Sequence, residues 1–160
     1  MANEAGTLET DAVLVRELTR ADLPRVVKID RLRSGRSRAE YYERKLQEAL
    51  GSTPRISLAA EIDGSVVGFI IGRLYYGEFG LPEPSAVIDS LGVDPEFAKQ
   101  SVGSALLRQL SMNMRSLGIE SIRTEVEWDA HDLVAFLARH DFKPAPRLSL
   151  ELRLSDQPKR

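Results

Sequence analysis

The chain has 160 residues, of which 42% are hydrophobic and 29% charged, the composition of an ordinary globular protein. It contains no cysteine, which excludes disulfides, thiolate metal sites and cysteine nucleophiles. The net charge is −2 with both signs interspersed, and no stretch approaches the about 18 apolar residues of a membrane span. We therefore expect a cytoplasmic protein that binds neither nucleic acid nor membranes.

No repeat or Pro/Gly-rich linker interrupts the chain. We expect one domain over residues 12–154, between a flexible N-terminal tail (residues 1–11) and a flexible C-terminal tail (residues 155–160).

The first part of the chain predicts one strand and two helices. Val13–Arg16 reads as a strand, and Thr19 and Pro24 mark the start of a helix. The spacing of Ser37–Glu40 predicts a capping box at the start of a second helix that ends at Gly51. Between the helices, the basic stretch Arg31–Arg38 is either a solvated loop with a positive face or a patch that binds an anion or nucleic acid.

The middle of the chain changes to strand periodicity. Apolar residues alternate from Ile56 to Ile62, and Asp63-Gly64 is a hairpin signal because both residues tolerate positive φ. The returning strand, Val66–Tyr76, holds an unbroken apolar run typical of a strand covered on both faces. The loop Tyr75–Pro84 is expected either to line the acceptor pocket or to form a dimer contact.

A strand–helix–strand unit follows. The pattern predicts a strand at Ala86–Val93, a helix at Ser101–Leu117 that stops at Gly118, and a parallel strand from Ile122 to Trp128. Ligands of open α/β sheets bind beyond the carboxyl ends of such strands.

The last part predicts a short helix, Asp132–Arg139. A final hairpin is expected to pair Phe142–Lys143 with Leu148–Leu154.

This order of elements, together with the segment V-D-P-E-F-A-K-Q-S-V-G-S-A-L-L (Val93–Leu107), resembles the GNAT superfamily of acetyl-CoA-dependent N-acetyltransferases. Val93 and Pro95 match its Val-x-Pro motif, and Gly103–Leu107 matches the start of its cofactor helix. The resemblance spans about residues 12–154. It implies an α/β (α+β) fold: a mixed, mostly antiparallel central sheet with a βαβ cofactor-binding unit and helices on both faces. It also implies acetyl-CoA as the acyl donor and no metal.

The family's pyrophosphate turn is altered in this chain. Ala98 replaces the usual Arg or Gln, Lys99 replaces a frequent glycine, and Ser101 replaces the first motif glycine. A turn at a helix N-terminus still presents backbone N–H groups and positive potential to an anion. The alternative is an ordinary helix start in which Ser101 is merely the N-cap and Lys99 faces solvent.

The resemblance also implies that the exposed backbone before this turn pairs with the pantetheine amides, and Gly92 suits a β-bulge there. The expected cofactor-binding residues are Leu91, Gly92, Val93, Lys99, Gln100, Ser101, Val102, Gly103, Ser104 and Asp129. Asp129 stands where the family often has asparagine, and its alternative role is the N-cap of the last helix.

Acidic residues are the candidates for catalysis, because aminolysis of a thioester needs a proton acceptor. Asp89 is expected to act as the base or to orient the amine; its alternative is a structural hydrogen bond. Glu127, which would share a strand face with Glu125, is expected to hold a water or a cationic substrate, or else to be solvated. These carboxylates together favour a cationic amine.

The family's acid is missing. Its members commonly carry an aromatic-Tyr-x-x-x-Gly-Phe run, in which the tyrosine protonates the departing thiolate. Here the run is F-L-A-R-H-D-F, so Leu137 takes the position of the tyrosine. His131 and His140 are either substitute acids or surface residues.

Three functional hypotheses follow. The first is an N-acetyltransferase that acts on a primary amine of a small molecule or protein by direct transfer in a ternary complex. The second is a non-catalytic acyl-CoA-binding regulatory domain of the same fold. The third is an α/β interaction module without CoA. Because family members often dimerise through the last hairpin, a homodimer is also among the expectations.

Overall fold

The computed structural model describes residues 13–51, 55–77, 79, 80 and 82–156. Its strands are β1 (Leu14–Glu17), β2 (Leu58–Ile62), β3 (Ser65–Tyr76), β4 (Pro84–Val93) and β5 (Ile122–Thr124). Its α-helices are α1 (Leu23–Ser34), α2 (Ala39–Leu50), α3 (Val102–Ser116) and α4 (His131–Arg139), and short 3-10 helices lie at Arg20–Asp22, Pro95–Phe97 and Leu154–Asp156.

The chain divides into two compact units, Met1–Glu125 and Val126–Arg160. The first unit holds all five strands and α1 to α3, and the second holds α4. The single domain predicted over residues 12–154 stays a prediction. The N-terminal tail (residues 1–11) and residues 157–160 lie outside the part that the structure describes.

The first unit is built on one sheet with the strand order β1-β2-β3-β4-β5. The pairs β1–β2, β2–β3 and β3–β4 are antiparallel, whereas β4 and β5 are parallel. This confirms the predicted mixed, mostly antiparallel sheet and its βαβ unit. In the described part of the chain, no helix is both long and apolar enough to cross a membrane.

Helices cover both faces of the sheet, as predicted. On one face, buried side chains of α1 and α2, including Ile29 and Tyr42, cluster with Phe69 and Ile71 of β3. On the other face, α3 packs against Gly68 of β3, since successive residues of a strand point to opposite sides. The run from Val66 to Gly72 is accordingly buried throughout.

Local signals of the sequence have mixed outcomes. The hairpin at Asp63-Gly64 is confirmed, with φ of 49° and 76°. The capping box predicted at Ser37–Glu40 is wrong: the N-cap of α2 is Arg38, which makes no side-chain cap hydrogen bond. Its guanidinium instead binds Asp30 on α1.

The end of the chain departs from the prediction. Strand β5 stops at Thr124 rather than Trp128, and a turn follows in which the Ala130 N–H donates to Glu127 C=O at 3.0 Å. The final hairpin is also wrong, since residues 125–156 contain no strand. Pro144 and Pro146, which lie between the two predicted strands, lack the N–H that a strand ladder requires, so neither strand can be extended through them.

We predict that Gly68→Ala destabilises the protein by about 1–3 kcal/mol, the usual range for an overpacked core. A Cβ at this position would lie 2.7 Å from Val102 Cγ1 and 3.2 Å from Leu106 Cδ1. The measurement is the free energy of unfolding in urea. Gly51→Ala is the matched control, because its Cβ would meet its nearest atom at 3.5 Å. Equal stability of the two variants would contradict the close approach of α3 and β3.

Candidate active site

Strand β4 is paired unequally on its two sides. It pairs with β3 over its whole length, ending at Gly68 and Val93, but it pairs with β5 only over Ala86–Ile88. Among the described residues, no strand pairs with the outer edge of residues 89–93. Such an edge presents backbone N–H and C=O groups that an extended chain can bind. Leu91, Gly92 and Val93, the predicted pantetheine residues, lie on it.

A β-bulge marks the point where the pairing changes. Ile71 pairs with Ser90 and Gly72 pairs with Ile88, so Asp89 is the extra residue of β4. The bulge predicted at Gly92 is therefore wrong, since Gly92 pairs regularly with Phe69.

Glycine is required at position 92 for a different reason. A Cβ there would lie 2.7 and 2.9 Å from two atoms of the Phe69 ring, and 3.3 Å from Ile29 Cγ2. Gly92 therefore lets the ring of Phe69 and helix α1 approach β4 closely.

Asp89, the predicted catalytic residue, is held by two cations. Its Oδ2 lies 3.3 Å from Arg73 Nε on β3 and 3.5 Å from Lys45 Nζ on α2. The Asp89 side chain is 14% exposed, and the two partners offset its negative charge. The carboxylate thus has the structural partners that the alternative interpretation expected, and it also keeps some access to solvent.

The turn after β4 is anchored at Asp94, which sequence reasoning missed. Asp94 Oδ1 accepts from the Glu96 N–H at 3.0 Å, and Oδ2 lies 3.2 Å from Arg25 Nη2. The Asp94 N–H donates to Val67 C=O at 2.8 Å. The Asp-Pro dipeptide was the available signal, because Asp is a preferred N-cap and Pro a preferred first helical residue.

The predicted pyrophosphate residues cluster at the N-terminus of α3. Ser101 is the N-cap in the left-handed conformation (φ 59°), and its side chain makes no cap hydrogen bond. Lys99 and Gln100 are exposed, whereas Val102 and Gly103 are buried. The N–H groups of a helix's first turn lack carbonyl partners within the helix and carry positive potential. This arrangement suits an anion.

The remaining predicted residues lie in the second unit. Glu127 and Asp129 are exposed in the turn before α4. The N-cap of α4 is Ala130, so the N-cap role suggested for Asp129 is wrong. The strand face predicted for Glu125 and Glu127 is wrong as well, because β5 ends at Thr124.

Leu137 of α4 is buried, with 6% of its surface exposed. Asp141, four residues later, adopts a positive φ of 66°, a conformation that glycine adopts more readily than other residues. In the described residues, no group of three or more His, Asp or Glu side chains is arranged to hold a metal ion.

A cleft of about 220 Å³ lies in the first unit beside β4. It was not predicted, because its residues come from four separate elements. Asp30, Arg33 and Ser34 of α1, Arg38 just before α2, Tyr42 of α2, Phe69 of β3, and Ser90, Leu91 and Gly92 of β4 form its lining.

A hydrogen-bonded chain fixes one wall of this cleft. Arg38 Nε donates to Asp30 Oδ2 at 2.9 Å, and its Nη2 donates to Oδ1. The Tyr42 hydroxyl donates to Asp30 Oδ1 at 2.9 Å and lies 3.0 Å from Ser90 Oγ. Because Tyr42 has one hydroxyl proton, Ser90 is the donor in the last contact.

Contacts within this hydrogen-bonded network set the protonation states of Asp30 and Tyr42. The Arg38 guanidinium holds the pKa of the Asp30 carboxyl below its usual range. Burial raises the pKa of Tyr42 to about 12. At neutral pH, Asp30 is therefore ionised and Tyr42 protonated, so the network ties α1 and α2 to β4 without titrating.

Comparison with known proteins gives a consistent result. The sequence matches the Acetyltransferase (GNAT) family over residues 16–142. It is 27% identical over 112 residues to an acetyltransferase of Pectobacterium atrosepticum, covering 70% of this chain and 74% of that protein.

Solved structures share the fold. The aminoglycoside acetyltransferase AAC(6')-Iy, in complex with the bisubstrate analogue CoA-S-monomethyl-acetylneamine, aligns with a TM-score of 0.72 at 14% identity, covering 89% of this chain and 98% of that one. The ribosomal-protein-S18-alanine N-acetyltransferase of Escherichia coli aligns with a TM-score of 0.66 at 18% identity, covering 84% of this chain and 79% of that one.

We predict that Asp30→Asn lowers the free energy of unfolding at pH 7 by about 1–3 kcal/mol, as expected for hydrogen bonds to a charged group. Because the folded-state pKa of Asp30 lies below the ordinary value of 3.8, the carboxylate stabilises the fold fully above that pH and less as pH falls below it. The difference from the parent should therefore narrow below pH 3.8. Urea unfolding at several pH values measures it.

Asp63→Asn is the control, because it removes the same charge from an exposed turn. We expect it to change stability by less than about 0.5 kcal/mol. A loss in Asp30→Asn that did not depend on pH would contradict the assigned ion pair.

Proposed function

Because the chain belongs to the GNAT family of acetyltransferases, we propose that it transfers an acetyl group from acetyl-CoA to a primary amine of a small molecule or protein. The supporting observation is the unpaired edge of β4, which leads directly into the turn at the N-terminus of α3. The strand edge can bind amides and the helix turn can bind an anion. The pantetheine amides and the pyrophosphate follow each other along CoA in the same order. Transfer would be direct, in a ternary complex.

We assign the cofactor contacts accordingly. The backbone of Leu91, Gly92 and Val93 would pair with the pantetheine amides. The pyrophosphate would lie against the turn and first helical residues Lys99, Gln100, Ser101, Val102, Gly103 and Ser104. Lys99 is exposed, which suits a replacement for the absent cation at Ala98. Asp129 is a further proposed contact. The complex of AAC(6')-Iy with a CoA-containing analogue supports this class of ligand.

The proposed reaction is the aminolysis of a thioester. The amine nitrogen attacks the acyl carbon, the new C–N bond replaces the C–S bond, and the thiolate leaves. One proton must pass from the amine nitrogen to an acceptor. Asp89 is the proposed acceptor or amine-orienting group, and Glu127 a second candidate. Leu137 supplies no hydroxyl, so no tyrosine would protonate the departing thiolate. A thiolate is only modestly basic and can leave without being protonated.

The alternative is a non-catalytic acyl-CoA-binding regulatory domain. Two observations favour it: Leu137 lacks a hydroxyl, and the charge of Asp89 is already offset by Lys45 and Arg73. Either function needs the same cofactor site.

The homodimer and the cytoplasmic location stay predictions. In the second unit, four alternating leucines are 68–88% exposed, an apolar surface that a second copy would cover: Leu148, Leu150, Leu152 and Leu154.

We predict that the protein binds acetyl-CoA at the proposed cofactor site. Calorimetric titration of acetyl-CoA should give micromolar binding, about −8 kcal/mol. Gly103→Glu and Lys99→Glu should each weaken binding at least tenfold, because both place a carboxylate beside the proposed pyrophosphate position. Lys99 is exposed, so that variant should fold normally.

Met112→Glu is the matched control for Gly103→Glu, since it makes the same charge change at an exposed position of α3. It should bind acetyl-CoA like the parent. Unchanged binding in Lys99→Glu and Gly103→Glu would contradict the proposed pyrophosphate position.

A measurement of turnover distinguishes the acetyltransferase from the non-catalytic acyl-CoA-binding domain. Asp89→Asn should lower kcat by about 10²–10⁴-fold, the usual contribution of a general base, without changing acetyl-CoA binding. The assay follows CoA release with a panel of amines, and Glu127→Gln is tested beside it. Full activity of Asp89→Asn would exclude Asp89 as the base. Tight acetyl-CoA binding without turnover of any amine would favour the regulatory domain.

A further inference from the structure

The cleft beside β4 carries more positive than negative charge. Two arginines, Arg33 and Arg38, line it together with a single carboxylate, Asp30. Arg38 and Asp30 bind each other through two hydrogen bonds, so their charges offset. The charge of Asp30 also acts on Arg33, so two guanidiniums face one carboxylate and the lining keeps a net charge of +1.

Arg33 is exposed and makes no hydrogen bond to another described side chain, although, alongside Arg38, its charge helps to lower the pKa of Asp30. Among the residues that the structure describes, it forms no ion pair. Its Nη1 donates one long hydrogen bond, of 3.4 Å, to the Val93 carbonyl. A guanidinium has five N–H donors in a planar fork that matches a carboxylate, so most of its donors are available to a ligand.

The acidic side chains nearby do not supply a site for an ammonium group. Asp30 accepts from both Arg38 and Tyr42. Asp89 lies between Lys45 and Arg73. A molecule with several positive charges would therefore meet a net positive charge in this cleft, and no carboxylate that lacks a cationic partner.

The cleft adjoins the proposed cofactor edge. It shares Leu91 and Gly92 with that edge, and Ser90 of the same strand places a hydroxyl in its wall. Its volume, about 220 Å³, is below the roughly 300–1,000 Å³ of pockets that enclose drug-sized ligands. It suits a fragment the size of an amino acid.

We propose that the acceptor is a small amine that also carries a carboxylate, an amino acid in chemical class, and that Arg33 binds this carboxylate in the cleft. The proposal rests on the proposed acetyltransferase function and names its substrate class. It makes a polycationic acceptor, such as an aminoglycoside, the disfavoured choice for this chain. It also replaces the cationic amine that the acidic residues of the sequence favoured.

The test compares kcat/KM for free amino acids and for the matching amino acid amides, with a polyamine as a third acceptor class. The amide has the less basic amine and hence more of the reactive neutral form, so chemistry alone favours the amide. We expect the parent to prefer the acid at least tenfold. Equal rates, or a preference for the amide or the polyamine, would overturn the proposal.

Variants assign the preference to Arg33. Arg33→Gln should raise KM for the acid at least tenfold and leave the amide unchanged, and Arg33→Lys should restore part of the loss. Arg36→Gln is the matched control, because it removes an exposed arginine of the same basic stretch that does not line the cleft. A preference for the acid that survived in Arg33→Gln would also overturn the assignment.

Carboxylate binding by Arg33 can be tested even if the protein transfers no acetyl group. If acetyl-CoA binds but no amine turns over, the same acids and amides are titrated into the CoA-loaded protein. Binding of the acid that is lost in Arg33→Gln would support the cleft as a carboxylate site, although the catalytic proposal had failed. Equal binding of acid and amide, or none, would overturn it.

Discussion

The structure depends on one constraint, the unequal pairing of β4. A strand in the middle of a sheet normally satisfies its backbone groups on both sides, yet β4 pairs with β5 over only Ala86–Ile88 while β3 accompanies it to Val93. The bulge at Asp89 follows directly after the last pair with β5. A stretch that is rigid on one side and unpaired on the other can present its backbone groups to a ligand without a further conformational cost.

The side chains around this stretch keep it in place. Phe69 packs against Gly92 from the neighbouring strand, and Ser90 donates to Tyr42. Tyr42 in turn donates to Asp30, so α1 and α2 are both joined to β4 through one buried carboxylate. Breaking a buried charged network costs more than forming it gains, because the remaining partner is left without compensation. The network therefore holds the side chains of α1, α2 and β4 that line the cleft in a fixed arrangement.

Local patterns predicted the fold well. The hairpin at Asp63-Gly64 and the period of α3 depend on neighbouring residues, and both are confirmed. The parallel pairing of β4 with β5 is also confirmed, because a strand–helix–strand order allows few other arrangements. The cleft depends on contacts between residues as far apart as Tyr42 and Ser90, which no periodicity reveals. The end of the chain was mispredicted because the alternating leucines from Leu148 to Leu154 read as a strand, although alternation specifies a strand only when a partner is available.

Family membership and substrate class rest on different parts of the molecule. The GNAT match covers residues 16–142, which include strands β2 to β5 and α3. The acceptor site that we propose is lined by side chains of α1 and α2, where the sequence shows only a basic stretch with two interpretations. The structure divides that stretch: Arg38 is committed to Asp30, whereas Arg33 lines the cleft without a carboxylate partner among the described residues. Formal charge along the sequence is thus a poor guide to specificity, because only charges left uncompensated after folding can select a ligand.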